Sequence, residues 1–368
     1  MNRKYPVDYN ILISVLILAS IGVIMVFSAS SANAYYEYHD SFYFLKRQLI
    51  WVILGFLAMT FMMNFDYTKL KKLTGFLLIL SIVLLIVVLL PGIGSTRYNA
   101  TRWIEIGGLT IQPSEFAKYT IILFFAKYFD KNPDYAKSFK KGVLPVLTLA
   151  GIFFVLIMKQ PNFSTAGTIF IISIILLFVA GARLSFMMTL FGLGGSAALI
   201  IISTVKYIRQ RVFTFLNPWE DIRQHGYQIV QSLYALGSGG LFGVGLGRSR
   251  QKFMYLPMPQ NDFIFSIIGE ELGLIGTATI LLLFLYLIIR GLRVAAKAPD
   301  VFGCLTATGI IGLIGVQTLI NVAVVTSSMP ATGVPLPFIS YGGTSTIIMM
   351  AAMGILLNIS RYANMDRS

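Results

Sequence analysis

Apolar residues fill this chain in long runs, separated by short polar stretches. Ten runs approach the roughly 20 helical residues needed to cross a hydrocarbon core about 30 Å thick. They cover 10–28, 45–64, 73–90, 113–129, 142–158, 166–181, 185–205, 263–289, 302–325 and 344–359. The pattern predicts an all-α polytopic membrane protein of about ten transmembrane helices, a single transmembrane domain over residues 1–368. The first run follows Arg3 and Lys4 and precedes Ala32-Asn33-Ala34, which resembles a signal-peptide cleavage site. Its length exceeds the usual apolar region of about 7–15 residues, so it reads as a retained span. One long polar segment, 206–262, separates the seventh and eighth runs, and residues 226–236 within it can form an amphipathic interfacial helix.

Composition supports this reading. The chain is 56% hydrophobic and 12% charged, whereas soluble domains carry about 25% charged residues. A soluble enzyme, a disordered chain and a disulfide scaffold are excluded. The net charge of +14 could indicate nucleic acid, but its distribution argues otherwise. With the N-terminus cytoplasmic and ten alternating spans, 16 basic residues face the cytoplasm and five lie in short outer loops. That is the positive-inside pattern, and it places both termini in the cytoplasm. Cys304 is the single cysteine, and His39 and His225 are far apart, so neither a disulfide nor a zinc cluster is available. No P-loop is present, which argues against ATP-driven work. No internal repeat is evident, which weakens an inverted-repeat transporter.

The outer segment departs from the charge rule. It carries Lys206, Arg209, Arg211, Arg223, Arg248, Arg250 and Lys252 against Glu220, Asp221 and Asp262. These cations suit either anionic lipid heads of the outer leaflet or a phosphate-bearing substrate. Other polar residues border the apolar runs. Glu115 and Lys118 share one helical face, as a structural ion pair or as the lining of a polar cavity. The turn Gln160-Pro161-Asn162-Phe163-Ser164-Thr165 is an ordinary tight turn or a wall of that cavity. The glycines of 237–247 allow close backbone packing or offer N–H groups to an anion. Asp262, where the segment meets the eighth run, could cap the helix or act as a general base beside a cationic phosphate site. Tyr35, Tyr36, Tyr38 and Tyr43 mark an interfacial belt.

Three long motifs resemble the SEDS proteins (shape, elongation, division and sporulation). The first is Gln112-Pro113-Ser114-Glu115-Phe116-Ala117-Lys118. The second runs from Asn217-Pro218-Trp219 through Gly226-Tyr227-Gln228, Gly237-Ser238-Gly239-Gly240, Gln251-Lys252 and Tyr255-Leu256-Pro257 to Asp262-Phe263-Ile264-Phe265 and Gly269-Glu270-Glu271. The third is Gly333-Val334-Pro335-Leu336-Pro337-Phe338-Ile339-Ser340-Tyr341-Gly342-Gly343. Asn217-Pro218-Trp219 and Gly247-Arg248-Ser249-Arg250-Gln251-Lys252 are similar to the FtsW and SpoVE branch rather than RodA.

The resemblance implies ten helices in the bacterial cytoplasmic membrane and peptidoglycan glycosyltransferase activity on lipid II at the outer face. It further implies a class B penicillin-binding protein as partner, within a divisome or elongasome assembly. The family's key aspartate falls on Asp262, its sensitive tryptophan on Trp103, and its paired Glu and Lys on Glu115 and Lys118. Asn162 stands where many members have Asp, and Glu270, Glu115 and Lys118 are candidates to compensate.

The chemistry joins a GlcNAc 4-hydroxyl to C1 of MurNAc and releases a lipid diphosphate. Asp262 would be the base, while Arg102, Arg209, Arg211, Arg248, Arg250 and Lys252 would hold the developing negative charge. No cofactor is required outright. A divalent cation, Mg²⁺ or Mn²⁺, shared between Asp262 and the diphosphate is the one cofactor considered. Two alternatives are a lipid II flippase using Glu115, Lys118, Asn162 and Glu270 as a passage, and a non-catalytic divisome scaffold. Besides lipid II and the penicillin-binding protein, membrane lipids are expected partners and nucleic acid is not.

Overall fold

In hydrocarbon every backbone N–H and C=O must be paired within the segment, so long apolar runs become helices. The computed structural model describes residues 5–97, 100–106, 109–220, 222 and 226–363. Asp221 and Arg223 of the outer segment lie outside them. The helices are α1 (Tyr9–Tyr38), α2 (Tyr43–Asn64), α3 (Tyr67–Val87), α4 (Pro113–Lys131), α5 (Leu144–Met158), α6 (Phe163–Val179), α7 (Leu184–Thr204), α8 (Lys206–Leu216), α9 (Tyr227–Gly239), α10 (Ile264–Ala296), α11 (Val301–Val325) and α12 (Gly343–Ser360). Each predicted run falls on one of α1–α7 or α10–α12. Among the described residues, seven helices are long and apolar enough to cross a membrane, and the protein is a multi-pass membrane protein. Of the others, α4 carries Glu115, Lys118, Lys127, Asp130 and Lys131, and α6 has only 17 residues.

α11 lies at the centre, packed by α4, α6 and α10. α2 and α3 present apolar faces outward, including Ile50, Ile53, Leu57 and Phe61 of α2 and Phe76, Ile79 and Val83 of α3. In water such faces would be a liability; against acyl chains they are the ordinary outer surface. α12 lies along α2, where Gly55 meets Met350 and Gly354 meets the Met59 carbonyl, and the missing side chains permit that close approach.

One end of the bundle is tied by aspartates at helix starts. The Asp8 carboxylate accepts from Asn10 N at 3.0 Å and pairs with Arg290 at 2.6 Å. Asp300 caps α11 through Gly303 N at 2.6 Å and accepts from the Tyr67 hydroxyl at 2.8 Å. Tyr5 N donates to Arg361 O at 2.7 Å, so both ends of the described chain meet here.

The opposite end carries the unpredicted elements. Between α3 and α4 lies a three-stranded antiparallel sheet, β1 (Gly94–Arg97), β2 (Ala100–Ile106) and β3 (Leu109–Ile111), in the order β1-β2-β3. It qualifies the all-α expectation, though the fold is mostly helical. The sequence did hold a signal: Thr101 to Ile106 is four β-formers interrupted by Arg102 and Glu105, and Gly107-Gly108 then separates it from Leu109-Thr110-Ile111 as in a short hairpin. α9 confirms the helix predicted at 226–236, but it is not merely interfacial. Ile229, Val230, Ser232 and Ala235 are buried, and the Ser232 hydroxyl meets Ser266 Oγ and Val325 O, both at 2.7 Å.

α10 is broken at Gly273, whose φ of 67° is open to glycine at little cost. The glycine-rich loop after α9 docks into this break. Val244 N and Gly245 N donate to the carbonyls of Glu270 and Glu271 at 2.9 and 3.0 Å, and Leu274 N donates to Gly240 O at 2.9 Å. A Cβ at Gly243 or Gly273 would collide with the facing backbone. The glycines therefore serve close backbone packing, and the N–H groups of Val244 and Gly245 are occupied rather than presented to an anion.

Candidate functional site

Asp262 sits at the mouth of α10 and is partly buried. It does not cap the helix: among the described hydrogen bonds none reaches its carboxylate, and Phe263 occupies the cap position. Its Oδ2 faces Gly333, where an added Cβ would lie at 3.2 Å. Burial pushes the carboxyl up to about 6, against the opposing pull of the Arg102 and Arg211 guanidinium groups. Desolvation of the charged form thus outweighs two nearby cations.

Five separate segments hold this arrangement. Arg102, on β2, donates to Gln160 O at 3.2 Å and also to Pro161 O, anchoring the sheet to the turn before α6. Arg211, on α8, donates to Ala331 O at 2.7 Å. Ser164, at the start of α6, donates to Thr332 O. Asn321, buried in α11, donates to Asp262 O at 2.8 Å and to Val334 O at 2.7 Å. The irregular stretch 331–334 is thereby pinned from α6, α8 and α11, directly beside Asp262. Two acceptors here, Asn321 Oδ1 and Thr332 Oγ1, are buried without a hydrogen-bond partner.

A family profile for cell cycle proteins, FtsW/RodA/SpoVE, matches residues 9–365. The chain belongs to the FtsW/RodA/SpoVE family. It is 46% identical over 361 residues to stage V sporulation protein E of Bacillus subtilis, covering 98% of this chain and 99% of that protein. It is 43% identical over 353 residues to a probable peptidoglycan glycosyltransferase FtsW of Geobacter sulfurreducens, covering 96% and 95%. A chain from a solved peptidoglycan synthase complex, in which polymerization and crosslinking are coordinated, superposes with a TM-score of 0.81 at 26% identity, covering 98% of this chain and 99% of that one. RodA of Thermus thermophilus shares the fold with a TM-score of 0.70, covering 98% of each chain.

Within this member of the FtsW/RodA/SpoVE family, the predicted site residues separate into groups. Asp262, Arg102 and Arg211 come together. Asn162 follows Pro161, whose carbonyl Arg102 bonds, but its side chain caps α6, accepting from Thr165 N at 3.3 Å. Trp103 is half-buried on β2 opposite Ser95. Glu115 and Lys118 pair at 2.8 Å across the first two turns of α4, with Lys118 1% exposed.

Lys252 and Glu270 belong to a different cluster. Lys252 Nζ lies 3.2 Å from Glu271 Oε1 and donates to Gly247 O at 2.6 Å. Glu271 also accepts from the Ser28 hydroxyl of α1. Glu270 accepts from Ser249 Oγ and from Arg250 N. These groups lock the loop 247–252 onto α1 and α10. Arg209, Arg248 and Arg250 are exposed. Asn321 is not singled out by the sequence, where Ser164 and Gly333 stand only as members of the 160–165 turn and the 333–343 motif. Asn321 could have been found by the criterion that singled out Glu115, a polar residue inside an apolar span.

Proposed function

We propose that this chain is a peptidoglycan glycosyltransferase that polymerises lipid II at the outer face of the bacterial cytoplasmic membrane. The observation that carries this reading is Asp262, a desolvated carboxylate flanked by Arg102 and Arg211 and aimed at the pinned stretch 331–334. A carboxyl raised to about 6 is mostly ionised at neutral pH yet more basic than an ordinary aspartate, which suits a general base.

In the proposed step the GlcNAc 4-hydroxyl of the acceptor gives its proton to the Asp262 carboxylate. Its oxygen forms the bond to C1 of the donor MurNAc from the face opposite the diphosphate. The C1–oxygen bond to phosphorus breaks, the electron pair leaves with the undecaprenyl diphosphate, and the configuration inverts. Arg102 and Arg211, held in place by the carbonyls of Gln160, Pro161 and Ala331, face the leaving diphosphate and balance its charge. The activated donor supplies the energy.

Among the described residues no three His, Cys, Asp or Glu side chains gather as metal ligands. A lone carboxylate between two guanidinium groups does not make a cation site of the chain's own; a cation shared between Asp262 and the diphosphate would arrive with the substrate and add charge neutralisation to that of the arginines. The names of the relatives and the coordinated synthase complex support a crosslinking partner, which we take to be a class B penicillin-binding protein.

The test is gel analysis of glycan strands formed from purified lipid II by the reconstituted chain, with and without such a partner. A ladder is expected from the parent and none from a folded Asp262→Ala variant. An undiminished ladder from that variant would remove Asp262 as the base.

A further inference from the structure

The end of the bundle opposite Asp262 carries a second feature. α4 and α5 splay apart there to leave an open groove of about 400 Å³, lined by Phe124, Tyr128, Leu144, Pro145, Leu149 and Ile152 among others. The lining is almost wholly apolar, and Leu144 and Ile152 are themselves exposed.

The mouth of the groove is the connection between the same two helices. Its last turn, Phe139–Val143, is a π-helix, admitted because Gly142 presses on the Tyr135 carbonyl where a side chain would collide. Tyr128, which lines the groove, donates its hydroxyl to Lys141 O at 2.6 Å, so the backbone of Lys141 stands at the opening, with its ammonium 5.3 Å from the centroid of the neighbouring Tyr135 ring. Residues 127–141 hold five lysines and two aspartates. Asp130 is paired with Lys71, and Asp134 with Lys137. Lys140 and Lys141 are exposed and join none of the described ion pairs. An apolar slot with cations at its rim matches a molecule with an acyl chain and an anionic head.

We propose that the α4–α5 groove is a binding site for an anionic glycerophospholipid, its acyl chain in the slot and its phosphate at Lys140 and Lys141. This site is separate from the Asp262 region and does not depend on the glycosyltransferase reading.

The test places a reporter in the slot, Phe124→Trp, with the unaltered chain measured in parallel to subtract Trp51, Trp103 and Trp219. The protein is reconstituted in bilayers doped with phosphatidylglycerol or phosphatidylcholine brominated on the acyl chain. Quenching is expected to favour phosphatidylglycerol, and Lys140→Gln with Lys141→Gln is expected to abolish the preference, at about fivefold per lysine. Equal quenching by both lipids would overturn the site as selective. A preference that survives the double substitution would overturn the role of the two lysines, and no quenching by either lipid would overturn lipid occupancy.

Discussion

Two polar clusters flank the first turns of α10, and their sequences look equally functional. One joins Lys252, Glu270, Glu271, Ser249 and Ser28; the other joins Asp262, Arg102, Arg211 and Asn321. In the first, each carboxylate is bonded by hydroxyls and backbone N–H groups, and Lys252 has three acceptors. In the second, the carboxylate receives no described hydrogen bond, and two neighbouring acceptors lack partners. A closed cluster holds structure, whereas one with unused capacity can take a substrate. Burial alone does not separate them, since Glu271 is more buried than Asp262.

The largest test of this contrast is Asp262→Asn. Loss of a general base is worth about 10²–10⁴ in rate, so polymerisation on a lipid II gel should fall at least a hundredfold while the melting temperature holds. Glu271→Ala should do the reverse. It leaves the Lys252 ammonium buried without its counter-charge, at about 3–5 kcal/mol, and thermal unfolding in detergent should show a large drop. The pair Lys252→Met with Glu271→Gln should recover most of it.

A smaller effect is expected at Asn321→Ala. It leaves the Asp262 and Val334 carbonyls unbonded, at about 1–3 kcal/mol, and should lower kcat more than it raises KM. Smaller again is the pH response. Activity should rise with pH through about 6 as Asp262 loses its proton. Because the folded carboxyl titrates above its ordinary value, the folded state binds the extra proton, and this group's contribution to stability falls as pH rises towards 6. Arg211→Gln removes a lowering charge and should move the acidic limb of kcat/KM to higher pH. Least affected should be Arg248→Ala, an exposed position where stability should stay within about 0.5 kcal/mol.

Much of the architecture could be read from the chain because lipid imposes a local rule. A run such as 302–325 must be helical whatever its neighbours do, and α11 is. Asp262 was legible for the same reason, as a charge at the edge of such a run. The small sheet was harder, because Thr101 to Ile106 is short and half polar. The docking of the glycine-rich loop was illegible. It is made by backbone atoms of Val244, Gly245, Glu270 and Glu271, which leave no side-chain pattern. Arg102 and Arg211 were legible only as two of six candidate cations; more than a hundred residues separate them, and the fold is what sorts these two to the Asp262 carboxylate.

The break at Gly273 bears on how the chain reaches its membrane. An unbroken α10 of 33 residues would be about 50 Å long at 1.5 Å per residue, far more than the hydrocarbon core. Beyond the break, roughly 23 residues remain, about 34 Å, close to the bilayer's own thickness. The insertion machinery is thus offered a span of ordinary length with no carboxylate in it. Glu270 and Glu271 need never be dragged through hydrocarbon; they can be settled against the loop and α1 after the span is in place.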